Sequence, residues 1–177
     1  YDKVILSAGS SPMMPPIPGI EKAGFVSEFL TDRKEAGKQI VIIGGGLAGC
    51  EAACYLKENA ETVTIIEMQE DILFGCDHCL NNDQALRQML QDNNINKITK
   101  ATVTKIEDNR VTYLQDNQEY TIVCDTIINA AGFKPNDQLE DALEEIYDDV
   151  TVIGDAKAPR KILTAIHEGY HAIRVME

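Results

Sequence analysis

The stretch QIVIIGGGLAGCEAACYLKENAETVTIIEM, residues 39–68, decides the fold. It begins with a β-branched run at residues 40–43, which is typical of a parallel strand covered on both faces. Residues that favour helix follow at 47–58, and a second apolar run occupies residues 63–66. A strand, a helix and another strand in about 30 residues predict a βαβ unit with a right-handed crossover.

The turn between the first strand and the helix carries a glycine pattern. Six residues fit G-x-G-x-x-G: Gly44, Gly45, Gly46, Leu47, Ala48 and Gly49. The first glycine permits a tight turn, the second lets the backbone approach a pyrophosphate, and the third allows the helix to pack closely on the strand. The helix N-terminus then offers unpaired N–H groups to phosphate oxygens. Because the pattern lies inside a βαβ unit, it predicts dinucleotide binding.

An acidic residue ends the second strand of the unit. Glu67 stands there, followed by Met68, which we include in the predicted binding set. A carboxylate at this place accepts hydrogen bonds from the adenosine ribose hydroxyls and repels a 2′-phosphate. No arginine occurs at residues 68–80 to receive such a phosphate. We therefore expect NADH to be preferred over NADPH.

The rest of the chain predicts further strands and helices around this unit. Residues 10–19 hold four prolines, so they form neither helix nor central strand and predict an ordered crossing. Turn residues separate several short β-rich runs after residue 94, which together predict an antiparallel meander. The predicted strands are 1–9, 25–30, 95–99, 102–107, 110–114, 119–124, 126–130 and 150–154, and the further predicted helices are 81–93, 137–146 and 159–175.

Composition narrows the class of protein. The chain has 177 residues, 44% of them hydrophobic, which suffices for a core in one domain or one domain and part of another. A net charge of −13 argues against nucleic acid and anionic membranes as partners. No apolar run is long enough to span a membrane, and five cysteines without a secretory signal indicate reduced thiols in the cytoplasm. Since the chain begins at Tyr1, we expect a fragment of a longer protein.

Four segments occur in a fixed order: YDKVILSAGSSP (1–12), GGGLAGCEAA (44–53), DTIINAAGFKPN (125–136) and VIGDAKAPRKILTAIHEGYHA (152–172). In this order they resemble the pyridine-nucleotide and flavin half of two-dinucleotide-fold flavoprotein reductases. The ending is most similar to the NADH:flavin oxidoreductases with an old-yellow-enzyme-type barrel, the subgroup of 2,4-dienoyl-CoA reductase, 2-enoate reductase and trimethylamine dehydrogenase.

The resemblance implies an α/β fold in which a Rossmann-like NAD(P)-binding domain, with a parallel sheet and an antiparallel meander, is inserted into a partial FAD-binding domain. Residues 1–37 and 131–177 would form the FAD lobe, and residues 38–130 the NAD(P)H domain. The glycine motif and Glu67 would hold the nicotinamide dinucleotide, and Gly132 would approach it. The residues implied on the FAD side are Ala8, Gly9, Gly154 and Asp155.

The resemblance also implies a function. Hydride would pass from NADH to FAD, and electrons would continue to FMN and an unsaturated enoate or enoyl substrate in a barrel that these residues do not include. An iron–sulfur cluster would also lie in the remainder of the parent protein. No residue of this chain is assigned a catalytic role, because the cofactors carry the chemistry. Two alternatives stay open: an NADH oxidase or disulfide reductase without a barrel, and a dinucleotide-binding module without turnover.

Several other signals favour ordinary structural roles. Cys76-Asp77-His78-Cys79 is a single C-x-x-C, for which an incidental loop is favoured over half of a redox or metal site. Cys50 and Cys54 are one helical turn apart and predict small buried thiols. His167 and His171 share a helical face, where we expect solvated or packed side chains. The sequence therefore predicts no metal site. The resemblance further implies that the helix after Pro159 directs its positive end at the flavin ring.

Overall fold

The computed structural model describes residues 3–74 and 80–175, and it divides the chain into two compact units. Unit 1 comprises Tyr1–Met13 and Phe133–Glu177, and unit 2 comprises Met14–Gly132. The first division therefore falls after Met13, whereas the sequence suggested a boundary after residue 37. Residues 14–37 lie in unit 2 because a short strand among them pairs with its central sheet.

Unit 2 combines a parallel sheet, an antiparallel sheet and helices. Its strands are β3 (Gly24–Phe25), β4 (Gln39–Ile43), β5 (Thr62–Ile66), β6 (Asn96–Ile98), β7 (Ala101–Glu107), β8 (Arg110–Gln115), β9 (Gln118–Val123) and β10 (Thr126–Asn129). Its helices are α1 (Val26–Leu30), α2 (Leu47–Lys57) and α3 (Leu80–Asp92). The predicted βαβ unit is thus β4-α2-β5, and its predicted bounds are confirmed to within one residue.

The parallel sheet determines where a ligand can bind. Its strand order is β3-β10-β4-β5-β6, and every neighbouring pair is parallel. The apolar residues of β4 and β5 are buried, as expected of strands covered on both faces. The chain leaves β4 toward β5 on one side, while β10 flanks β4 on the other. The carboxyl ends of β4 and β10 therefore form the switch point at which open α/β sheets bind ligands.

Two predicted strands have different roles in the structure. The prediction of a strand at 25–30 was wrong, because only Gly24–Phe25 is extended and α1 follows at once. Glu28 Oε2 accepts a hydrogen bond from the Phe25 N–H at 2.8 Å, which caps this helix. The 95–99 strand exists as β6, but it pairs in parallel with β5 and extends the main sheet. The antiparallel meander consists of β7, β8 and β9.

A carboxylate fastens the hinge before β4 to the strand beside it. Asp125, just before β10, accepts hydrogen bonds from the backbone N–H groups of Lys38 and Gln39 at 2.8 and 3.0 Å. Desolvation acts to raise the pKa of Asp125, but these two N–H groups, together with the Thr126 hydroxyl and the backbone N–H of Asp125 itself, hold the pKa below its ordinary value. The ionised form of Asp125 therefore stabilises the start of β4.

Unit 1 is built from short elements. They are β1 (Val4–Leu6), β2 (Ser10–Pro12), β11 (Phe133–Pro135), α4 (Glu140–Glu144), β12 (Val150–Val152) and α5 (Ile162–Arg174). Strands β1 and β12 pair in parallel, while β2 and β11 pair antiparallel. Part of the proline-rich crossing is therefore an edge strand, where the missing N–H of a proline is tolerated.

The helices of unit 1 are shorter than predicted. Helix α4 covers five of the ten residues expected. Helix α5 begins at Ile162, so Pro159 precedes the helix instead of occupying its first turn. The stripe of Ile162, Ile166 and Ile173 is 61–80% exposed, so in this chain it is a surface and not a core face. No helix of the described residues is long and apolar enough to cross a membrane.

Candidate functional site

A cavity of about 570 Å³ lies at the carboxyl edge of the parallel sheet in unit 2. Its described walls are mostly apolar, and Glu67 is their one ionisable side chain. The lining residues are Pro15, Pro16, Ile17, Ile43, Gly44, Gly46, Ile66, Glu67, Met68, Ala101, Thr102, Val103, Ala130, Ala131 and Gly132. The volume is within the usual range of small-molecule sites.

The three motif glycines differ in what surrounds them. Gly44 has φ +109°, and a Cβ there would come within 2.4 Å of the Ala130 carbonyl oxygen. A Cβ on Gly49 would approach the Gly44 carbonyl oxygen to 2.1 Å. Around Gly46, by contrast, a Cβ would meet no atom within 4 Å. Gly44 and Gly49 are thus required by the protein's own packing, whereas the space at Gly46 is open to a ligand.

The first turn of α2 faces this open space. The first hydrogen bond of α2 runs from the Cys50 N–H to the Gly46 carbonyl oxygen at 3.0 Å. The N–H groups of Leu47, Ala48 and Gly49 precede Cys50 in the helix, so no carbonyl oxygen of α2 accepts from them. Together with the helix dipole, they favour an anionic group at this end of the helix.

Glu67 is held in place by two backbone donors. Its Oε2 accepts from the Gly45 N–H at 2.6 Å, and its Oε1 accepts from the Gln69 N–H at 2.8 Å. The Gly45 N–H therefore donates to Glu67 and not to a ligand, so the role of Gly45 in the motif is to hold the Glu67 carboxylate. A carboxylate offers about four lone-pair directions, so two remain for hydroxyl donors of a ligand.

The structure brings most of the predicted nucleotide residues to one place. Gly44, Gly46, Glu67, Met68 and Gly132 all line the cavity. Leu47, Ala48 and Gly49 form the adjoining helical turn. The Met68 side chain is exposed and adds an apolar surface beside the carboxylate.

Sequence reasoning missed two walls and one buried residue. The walls are formed by residues 15–17 of the crossing and by residues 101–103 at the start of β7. The buried residue is Asn129, which is 3% exposed at the end of β10. A lone amide directly after the apolar pair Ile127-Ile128 was the available signal for it.

The four residues implied on the FAD side all lie in unit 1. Because β1 and β12 are parallel, Ala8 and Gly9 follow one strand and Gly154 and Asp155 follow the other at the same edge. Gly9 and Gly154 have φ values of +73° and +63°. The Asp155 carboxylate already accepts from the Ser10 hydroxyl at 3.1 Å and from the Arg160 N–H at 3.2 Å.

Glu168 of α5 supports the same edge of unit 1. Its Oε2 accepts from the Gly154 N–H at 2.7 Å, and its Oε1 pairs with the Arg160 guanidinium. These two donors hold the pKa of Glu168 below its ordinary value, the Gly154 N–H contributing most. The carboxylate thus fixes the turn that carries Gly154 and Asp155.

The remaining candidates stay outside the cavity. Cys50 and Cys54 are buried thiols in α2, as predicted, and burial raises the pKa of Cys54. His167 and His171 are exposed on α5, and the described residues contain no cluster of three or more metal-ligating side chains. The Cys76–Cys79 pair lies outside the described residues.

The groups around the cavity suit the polar parts of a nicotinamide dinucleotide. The open cradle at Gly46 and the unpaired helix N–H groups suit a pyrophosphate, while the held carboxylate of Glu67 suits ribose hydroxyls. For FAD, unit 1 offers a glycine-bordered strand edge with a carboxylate at Asp155. This edge suits a hydroxyl-bearing chain better than a phosphate, since a carboxylate repels anions.

Comparison with known proteins identifies relatives along nearly the whole chain. The family model described as pyridine nucleotide-disulphide oxidoreductase matches residues 1–169. A cinnamate reductase of Clostridium sporogenes is 33% identical over 174 residues, which are 98% of this chain and 26% of the relative. A dihydrolipoyl dehydrogenase of Acholeplasma laidlawii is 40% identical over 138 residues, which are 75% of this chain and 40% of the relative.

Among solved structures, a 2-naphthoyl-CoA reductase superimposes with a TM-score of 0.84 at 29% identity. The match covers 96% of this chain and 26% of that structure. This chain therefore spans well under half the length of each of these three relatives.

Proposed function

The chain belongs to the pyridine nucleotide-disulphide oxidoreductase family, and on this premise we propose that unit 2 binds NADH for a flavin-dependent reductase. The observation that carries the proposal is the open space at Gly46 next to the held carboxylate of Glu67 in one cavity. A dinucleotide site in a βαβ unit needs a glycine turn that accommodates the pyrophosphate and, about 20 residues later, an acidic residue that accepts from the ribose.

The residues of the chain act by binding and orientation. The α2 N–H groups donate to the pyrophosphate, and the helix dipole stabilises its charge without help from a cationic side chain among the described lining residues. Glu67 accepts from the adenosine ribose hydroxyls and disfavours a 2′-phosphate, which makes NADH the preferred nucleotide. The apolar walls exclude water from the nicotinamide portion.

A bound nicotinamide supplies a hydride and a bound FAD accepts it, so the protein's task is to place the two rings. We assign Ala8, Gly9, Gly154 and Asp155 to the FAD side. In this assignment Asp155, held by Ser10 and the Arg160 N–H, accepts hydrogen bonds from FAD hydroxyls, and Glu168 keeps its turn in place.

The reductase proposed is of the enoate-reductase type. Its support is the likeness over 98% of this chain to a protein named cinnamate reductase, of which the chain corresponds to 26%. Electrons would leave FAD for FMN, with an iron–sulfur cluster as a further carrier, and reach an unsaturated acid or thioester in a barrel domain of the parent protein. The buried free thiols of Cys54 and Cys124 support a reducing, cytoplasmic setting.

A second candidate is a disulfide reductase or NADH oxidase without a barrel. It is favoured by the 40% identity to a protein named dihydrolipoyl dehydrogenase. Both candidates use unit 2 in the same way and differ in the acceptor. Reduction of an enoate by NADH in the parent protein supports the first candidate, and reduction of a disulfide or of dioxygen supports the second.

Gly46→Ala tests the nucleotide site directly. The added methyl meets no protein atom within 4 Å, so the fold tolerates it, yet it projects into the space assigned to the pyrophosphate. In calorimetric titrations we expect the parent chain to bind NADH and the variant to bind it about tenfold or more weakly, a loss of about 1.4 kcal/mol or more.

Gly169→Ala is the matched control. Its Cβ would make an ordinary contact at 3.8 Å with Ile153 in unit 1, and NADH affinity should not change. Equal affinity of Gly46→Ala and the parent chain for NADH would overturn the proposed site.

A further inference from the structure

Asn129 is a buried amide at the edge of the cavity. It is the last residue of β10, between Phe25 of β3 and Ile43 of β4 in the sheet register, and only 3% of it is exposed. Burying an amide at the end of an apolar strand is unfavourable unless both of its ends find partners. The two ends of this side chain reach two different walls.

The amide oxygen holds the turn that follows β10. Asn129 Oδ1 accepts from the Ala131 N–H at 3.1 Å, while the Ala130 N–H donates to the Ile43 carbonyl at 2.8 Å. This turn lies directly against the glycine motif, because a Cβ on Gly44 would touch the Ala130 carbonyl oxygen. A shift of the turn would therefore change the shape of the pyrophosphate cradle.

The amide nitrogen contacts a second wall. Asn129 Nδ2 lies 3.9 Å from Met14 Sδ, within hydrogen-bond range for sulfur. The next residues, Pro15 and Pro16, line the cavity. Because their φ angles are fixed, the position of Met14 determines where this wall lies. One side chain thus contacts both the turn after β10 and the segment before the prolines.

We propose that Asn129 is a positioning residue that sets the distance between these two walls before the dinucleotide binds. This inference rests on the proposed function of the cavity. Preorganised walls bind more tightly because the ligand does not have to order them. Removing the amide therefore weakens nucleotide binding even though Asn129 does not line the cavity.

The test compares NADH affinity of the purified chain with that of matched variants. We expect Asn129→Leu, which keeps the approximate volume, to raise Kd about tenfold. Asn129→Asp keeps an oxygen acceptor for the Ala131 N–H but loses the N–H donor toward Met14 and buries a charge, so its Kd should also rise about tenfold; parent-like affinity of this variant would overturn the role of the contact with Met14. If Asn129→Leu does not fold, Asn129→Ala takes its place with the same expected loss.

Thr64→Val is the control for a merely structural effect. Thr64 is also a buried polar residue of this sheet, and its hydroxyl accepts from the Asn96 amide at 3.4 Å, away from the cavity. We expect it to leave NADH affinity unchanged. A loss of affinity equal to that of Asn129→Leu would overturn the positioning role.

Hydrogen exchange separates the two hypotheses. Without nucleotide, the Ala131 amide should exchange faster in Asn129→Leu than in the parent chain, and unchanged exchange overturns the positioning role. If the parent chain binds NADH and Asn129→Leu binds it equally well, the positioning role fails while the proposed function stands. If the parent chain binds neither NADH nor NADPH, the proposed function fails and the positioning role fails with it.

Discussion

Replacing Glu67 by glutamine should reduce the discrimination between NADH and NADPH. The substitution keeps the size of the side chain but removes its charge and puts an NH₂ group where one of two backbone donors, Gly45 or Gln69, now finds an oxygen. A hydrogen bond to a charged group contributes about 1.5–3 kcal/mol. NADH should therefore bind less tightly to the variant.

The effect on NADPH has the opposite sign. A carboxylate and a phosphate charge about 5 Å apart repel by roughly 1–3 kcal/mol at effective dielectric constants between those of water and a protein surface. No Lys or Arg among the described lining residues offsets this repulsion. Loss of the repulsion alone should change the ratio of the NADPH and NADH Kd values by roughly 5- to 150-fold, the range of a 1–3 kcal/mol coupling, and the weaker binding of NADH adds to this change.

The assay is titration of both nucleotides into the chain at low and high salt. The repulsive part weakens as salt screens it, whereas the hydrogen-bonded part persists. Glu51→Gln removes a charge from the exposed face of α2, outside the lining residues, and should leave the ratio unchanged. The reasoning is refuted if the parent chain binds NADPH more tightly than NADH, or if Glu67→Gln leaves the ratio as it was.

Three further results are expected. Gly49→Ala should destabilise the chain by about 3 kcal/mol or more in a denaturant titration, because its methyl would overlap the Gly44 carbonyl; unchanged stability would contradict the packing role. Because its pKa is lowered in the folded chain, Asp125 should contribute fully to the free energy of unfolding above about pH 4, and this contribution should be lost as the pH falls below that value. Asp125→Asn should therefore lose less stability on acidification than the parent chain. The purified chain should show no stoichiometric flavin absorbance, since the residues assigned to FAD in unit 1 form one short strand edge whose few contacts do not offset the cost of immobilising the ligand; a full flavin band would contradict the assignment.

Local patterns made the nucleotide unit predictable. The βαβ stretch, its glycines and Glu67 are contiguous in sequence, so periodicity and turn chemistry suffice to place them. The same patterns do not show which strands become neighbours, which is why β6 was grouped with the meander although it pairs with β5. They also failed at residues 25–30, where the cap supplied by Glu28 outweighs the β-branched and aromatic composition.

The cavity walls were beyond the reach of sequence reasoning for the same reason. Pro15 and Pro16 line the cavity beside residues that are more than 100 positions away in sequence, as the contact between Met14 and Asn129 shows. Only long-range packing determines such a neighbour. The polar residue at the end of an apolar strand was a visible anomaly, but its two partners were not.

The insertion of unit 2 between the strands of unit 1 has a consequence for the order of folding. Val4 pairs with Val150, so a free chain must close a very long loop before β1 and β12 can meet. Met14 and Ala131, near the two ends of unit 2, both bond to Asn129, so a folded unit 2 brings its own ends together. We therefore expect unit 2 to fold first, so that the loop between Val4 and Val150 shortens to the residues outside unit 2. Pulse-labelling during refolding should show β4 and β5 protected before β1, and the reverse order would contradict this pathway.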